Sequence, residues 1–169
     1  MRSTGEVLGI AKTFGEAFYK SQEATKVKLP TSGNVLISVN DRDKGELVEL
    51  AQGFRSIGFS ILATPGTYAM LQENGIEAQR VAKLEEGRPN VLDIITNGQV
   101  QIVINTPNDQ KGTKDDSYIR KAVIRGQISY FTTMAAAKAA VAGIAEARER
   151  GGDDKFTVKS LQAFHKEIQ

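Results

Sequence analysis

The chain has 169 residues, 25% charged and 40% hydrophobic, with a formal net charge of only +2. That suffices for one domain with a sizeable core but not two comfortable ones, and it lacks the dense basic face of a nucleic-acid-binding protein. With no cysteine, no 18-residue apolar run and no signal peptide at Met1–Gly5, disulfides, thiol chemistry, cysteine metal sites, secretion and membrane spanning drop out, and a cytoplasmic protein is expected.

Residues 1–11 are small and glycine-punctuated. Lys12 to Ala24 has helical spacing, with Phe14, Ala17 and Phe18 on one face, and Lys26 to Gly33 reads as a linker. Asn34 to Val39 is a continuous apolar run of strand length, expected to be buried on both faces. A polar turn follows, in which Asp43 and Glu46 have the spacing of a capping box. Leu47, Leu50, Ala51, Phe54 and Ile57 mark one face of a helix that Gly58 stops. Phe59 to Thr64 is a second strand, and Tyr68 to Asn74 is a short helix ended by Gly75.

Gln79 to Val81 makes a weak third strand, Pro89 to Thr96 a short helix closed by Gly98, and Val100 to Asn105 a fourth strand. After the polar loop Asn108 to Lys114, a helix over Asp115 to Arg125 turns Ile119, Ala122 and Val123 inward. Ile128 to Thr133 is a fifth strand, and an alanine-rich helix runs from Met134 to Arg148. Beyond Gly151–Asp154, a short strand and helix are expected over Phe156 to Ile168. Five alternations of strand and helix predict an α/β fold with helices on both faces of a parallel sheet.

In such sheets ligands bind off the carboxyl ends of the strands, near the point where strand order reverses. The predicted ends carry Lys44, Thr64, Thr67, Lys83, Arg88, Asn105 and Thr106, a set of hydroxyls, amides and cations suited to a phosphorylated small molecule. The stretch Ser60 to Thr67 is central. Pro65 fixes φ for a helix start, Gly66 admits a ligand to the backbone, and threonines flank them. Free amides at such a helix start bind anions, although a tight turn with threonine capping explains the same residues. The single histidine, His165, lies in the terminal helix, far from every strand end. No metal-ligand cluster, dinucleotide fingerprint or P-loop occurs, and Asp41, Asp43 and Asp115 each suit a capping or turn role. The pattern is a phosphate pocket without a catalytic base.

Seven segments in order carry a resemblance: Met1–Val7 with Lys12–Phe18, Ser38–Val39 with Asp43–Lys44, and Ala63–Thr67. The others are Glu86–Pro89 before Asp93, Ile104–Pro107, Ile119–Ala122 and Tyr130–Thr133. On these the chain resembles, over nearly its whole length, the C-terminal regulatory region of the large subunit of carbamoyl-phosphate synthetase, of methylglyoxal-synthase-like fold. The resemblance implies a three-layer αβα sandwich on a five-stranded parallel, Rossmann-like sheet. It also implies that residues 1–30 are the end of a preceding synthetase unit plus linker, and 31–169 the regulatory domain.

By the same resemblance the domain does no chemistry and holds no cofactor, and it binds UMP or IMP. Lys44, Thr64, Gly66, Thr67 and Lys83 would surround the phosphate. Asn105, Thr106 and Asp115 would reach ribose or base, between apolar walls from Val91 and Ile119. Tyr130 and Thr132 would contribute to an ornithine site at the junction with the synthetase unit. The implied parent is a glutamine-dependent ligase that makes carbamoyl phosphate for pyrimidine and arginine biosynthesis, using ATP with Mg or Mn and a glutaminase small subunit. This chain departs from the pattern at Pro107, where some members have a hydroxyl, and in the loop Asn108–Lys111. The alternative, a methylglyoxal synthase-type phosphate lyase, needs carboxylates where Gly87-Arg88 and Asn105-Thr106-Pro107 stand, which disfavours it.

Overall fold

A computed structural model describes residues 5–107, 114–151 and 158–168, without the side chains of 114, 115 and 168. Within them β1 (Asn34–Ser38), β2 (Ser60–Ala63), β3 (Gln79–Arg80), β4 (Ile102–Asn105) and β5 (Ser129–Phe131) form one sheet in the order β3-β2-β1-β4-β5. All neighbours run parallel. The central strands are unbroken aliphatic runs because both faces are covered. Val35 and Ile37 face one layer and Leu36 the other.

One layer holds α2 (Leu47–Ser56), α3 (Pro65–Glu73) and α6 (Met134–Glu149), packed through Leu50, Phe54, Leu71, Ala140 and Ile144. The other holds α4 (Val91–Thr96) and α5 (Lys114–Gly126), packed through Val91, Ile95, Ile119 and Val123. This is the predicted three-layer α/β sandwich. Helix ends follow the glycines: at Gly75, φ 69°, the Ile76 amide reaches back to the Leu71 carbonyl and the Gly75 amide to Gln72. That is the paired bonding by which a left-handed glycine satisfies the last free carbonyls.

One expectation changes, and α1 adds a contact that its apolar spacing does not show. Helix α1 (Phe14–Glu23), capped by the Thr13 hydroxyl, buries Gly15, Glu16 and Tyr19, whereas Phe14 is 71% exposed. The reason is its partner. It packs on α6 so closely that a Cβ at Gly143 would lie 3.1 Å from the Gly15 carbonyl oxygen, so small residues and not the phenylalanine decide which face turns inward. Glu16 is buried there with Lys20 at 2.9 Å and Arg150 at 2.8 Å, and Thr13 donates to Glu146 at 2.5 Å. The changed expectation is the cap after β1. Asp41–Glu46 is a 3-10 turn capped by Asn40, whose side-chain oxygen accepts from the Arg42 and Asp43 amides, and Asp43 itself receives an N–H from Asn40. Asn40 still has extended backbone as the chain leaves the strand, which suits a cap.

Helix α7 (Leu161–Ile168) ends the described chain, and His165 is exposed on it. The strand expected near Phe156 and the loop Asn108–Lys111 lie outside the described residues. No described helix is long and apolar enough to cross a membrane.

Candidate functional site

Strand order turns at β1, which has β2 on one side and β4 on the other, and a crevice opens above the carboxyl ends of these strands. It encloses a cleft of about 250 Å³. Hydrogen bonds hold its floor. The Asn40 amide donates to Thr106 Oγ1 at 2.9 Å, and the Asn40 side chain donates to the Pro107 carbonyl at 3.0 Å, tying the exits of β1 and β4 together. The Val39 amide donates to Thr67 Oγ1 at 3.2 Å, which ties β1 to the first turn of α3.

Pro65 opens α3 as its first residue and Thr64 is the cap. The Thr64 hydroxyl makes no capping bond. It lies 3.2 Å from Ser38 Oγ and 3.4 Å from Thr67 Oγ1, so three hydroxyls gather where the first turn of α3 keeps unpartnered amides. The Lys44 ammonium stands over this turn: a Cβ added to Gly66 would meet its Nζ at 3.8 Å. Lys83, exposed after β3, supplies a second cation to the wall. Cations, hydroxyls and a helix amino end make one half of the cleft anion-binding in character.

Lys44 is occupied by Asp41 at 2.7 Å. The ammonium hydrogen-bonded to it, with a weaker pull from Lys83, holds the Asp41 carboxyl below the usual aspartate range. An ionised, lysine-bound carboxylate is a weak base, so Asp41 has little capacity for proton abstraction near neutral pH.

The other half of the cleft is apolar walls with one amide. Val91 and Ile119, both buried, come from α4 and α5, and Asn105 and Thr106 from the end of β4. Asn105 Nδ2 donates to Asp116 Oδ1 at 2.9 Å and to the Tyr130 hydroxyl at 3.3 Å.

Lys44, Thr64, Gly66, Thr67, Lys83, Val91, Asn105, Thr106 and Ile119 therefore share one cleft. The Asp115 side chain lies outside the described residues; Asp116, a residue sequence reasoning missed, lines the wall. Spacing did not single it out, because Asp115 and Asp116 lie four and three residues before Ile119 and both spacings fall on one helical face. Tyr130 reaches the cleft only through Asn105. Thr132 is exposed at the end of β5 and does not line the cleft. Arg88, 82% exposed and 3.6 Å from Asp93, stands outside as well. Among the described residues no cluster of three or more metal-ligand side chains occurs.

The chain resembles known proteins along its whole length. It is 46% identical over 166 residues to the C-terminal section of the carbamoyl phosphate synthase large chain of Aquifex aeolicus, covering 98% of this chain and 31% of that one. It is 46% identical over 168 residues to the carbamoyl phosphate synthase large chain of Archaeoglobus fulgidus, covering 99% and 15%. The chain thus spans less than a third of these relatives. A methylglyoxal synthase structure from Elizabethkingia anophelis shares the fold, with a TM-score of 0.54 and 20% identity, over 67% of this chain and 79% of that one. The model of the MGS-like domain matches residues 46–132, the segment that runs from α2 to β5 and builds most of the cleft, so this chain belongs to the MGS-like domain family.

Proposed function

We propose that this chain is the regulatory, non-catalytic domain of a glutamine-dependent carbamoyl-phosphate synthetase large subunit, acting in the cytoplasm, and that its cleft takes a nucleoside monophosphate. The observation that carries the reading is the division of the cleft. Lys44, Lys83 and the Thr64–Thr67 turn form a charge-assisted half for a phosphate, and Val91, Ile119, Asn105 and Thr106 form a half-apolar slot for a nucleoside. UMP is the first candidate and IMP the second. Most relatives whose names support the reading are much longer chains, so residues 1–30 are assigned to the end of a synthetase unit and 31–169 to the regulatory domain. Synthetase domains of the same subunit and a glutaminase small subunit are the partners that follow. Tyr130 and Thr132 are assigned to an ornithine site completed by the synthetase unit.

The lyase alternative loses support from the charge of the cleft. Of the carboxylates on its wall, Asp41 is bound to Lys44 and Asp116 accepts from Asn105, and Thr106 offers only a hydroxyl. Calorimetric titration of the 169-residue chain with UMP, IMP and inorganic phosphate is the test. A nucleotide that binds more tightly than phosphate supports the reading. Phosphate alone binding, or neither, overturns it.

A further inference from the structure

We infer that Asp116 and Tyr130 are positioning residues that lock the Asn105 amide as a hydrogen-bond acceptor, so that the nucleoside end of the cleft selects a ligand group that donates. The inference rests on the nucleotide reading of the cleft and goes beyond it in fixing the polarity of one contact.

Asn105 is the last residue of β4, opposite Ser38 in register, and is only 3% exposed. A carboxamide has two N–H donors and one carbonyl oxygen. Both donors are directed here: one to Asp116 Oδ1 at 2.9 Å, the other to the Tyr130 hydroxyl at 3.3 Å. Turning the amide over would set its oxygen against the Asp116 carboxylate, two acceptors with no proton between them. The carboxylate therefore fixes the orientation, and Oδ1 is the side-chain atom that Asn105 presents to a ligand. A buried acceptor that finds no donor costs its desolvation, which is how a site rejects an analogue of the wrong polarity. Asp116 comes from the first turn of α5 and Tyr130 from β5, so the orientation is set by two elements that flank β4.

The test uses the 169-residue chain with Tyr130→Phe and Asp116→Asn, two near-isosteric changes, and three readouts. In ligand-free protein, the Asn105 side-chain amide resonances should shift in both variants, because each removes or alters an acceptor of Nδ2. By calorimetry, UMP should bind Asp116→Asn about five-fold more weakly, the worth of one net hydrogen bond, because an amide at 116 no longer forbids the turned-over orientation of Asn105. Inorganic phosphate, which occupies only the lysine and threonine half, should lose far less affinity than UMP does. Equal loss for both ligands would mark a merely structural role and overturn the inference, as would unshifted Asn105 resonances with unchanged UMP affinity. If UMP fails to bind the wild type while the Asn105 resonances shift in both variants, the nucleotide reading falls and the positioning stands.

Discussion

Lys44 is the side chain on which the anion-binding half of the cleft depends most. Its stem crosses from the turn after β1 to the start of α3, and its ammonium meets Asp41 at 2.7 Å. On the proposed reading, an entering phosphate would exchange that carboxylate for a dianion on the same lysine. Lys44→Met should weaken UMP by about 1.5–3 kcal/mol, the range for a hydrogen bond to a charged group, read by calorimetry at fixed salt. Equal affinity would remove Lys44 from the site. The same variant tests the electrostatics without any ligand. Lys44 holds the Asp41 carboxyl down, so the carboxyl carbon of Asp41, followed by NMR, should titrate higher in Lys44→Met than in wild type. Because the folded pKa is depressed, whatever this pair contributes to stability is present above the ordinary aspartate pKa. It disappears as pH falls through the lower folded value. Asp41 is exposed and Lys44 only half-buried, so the effect shows in the titration of one carboxyl and not in the melting of the protein.

Two elements carry expectations of their own. The turn after β1 is held by Asn40, which caps the 3-10 turn, donates to Asp43 and Pro107, and presents its amide to Thr106. Asn40→Ala removes the cap and the bridge between the β1 and β4 exits. It should cost about 1–2 kcal/mol in urea unfolding, toward the upper end of cap losses. The second element is the α1–α6 crossing. A Cβ at Gly15 would lie 2.9 Å from the Ala142 carbonyl oxygen and 2.6 Å from Glu146 Oε1; the side chain can swing away but the backbone cannot. Gly15→Ala should therefore destabilise by about 1–3 kcal/mol as overpacking, even though alanine favours a helix by about 1 kcal/mol. A variant more stable than wild type would show that α1 is free to lift off α6.

At the scale of the molecule, the cleft joins both halves of the sheet, since its walls come from β1, β4, α3, α4 and α5 and from the segments after β1, β2 and β3. A ligand bound there stabilises the folded state as a unit, by an amount that follows its concentration relative to Kd. UMP at about 100 times its Kd should raise stability by about 2.7 kcal/mol, visible as a higher melting temperature. Ornithine should give no such rise with this chain. The cavity of about 300 Å³ beside Tyr130 is lined by Gln22, Thr25, Lys26 and Val27, with no carboxylate among its described residues to pair an ammonium. A melting shift with micromolar ornithine would refute the assignment of the rest of its site to the synthetase unit.

The sequence by itself determined the α/β class, the helix stops and the strand ends. Buried parallel strands must be unbroken aliphatic runs, and chains that turn sharply beside them need glycine, proline and hydroxyl residues. Because parallel strands all present their carboxyl ends on one side, knowing the ends already grouped Lys44, Thr64, Lys83 and Asn105. The neighbours were decided elsewhere. Nothing local in the sequence states that β1 lies between β2 and β4, and that order makes Ser38 and Asn105 register partners at the cleft. Apolar spacing placed Phe14, Ala17 and Phe18 on one face of α1 but carried no sign of the contact with α6, which is made where two glycines let backbones approach. Adjacent aspartates at the start of α5 could not be told apart from their distance to Ile119 alone. A helix turns by roughly 100° per residue, so only the packed helix put Asp116 against Asn105. Local chemistry sets which elements form; contacts between residues far apart in the chain set which side chains meet.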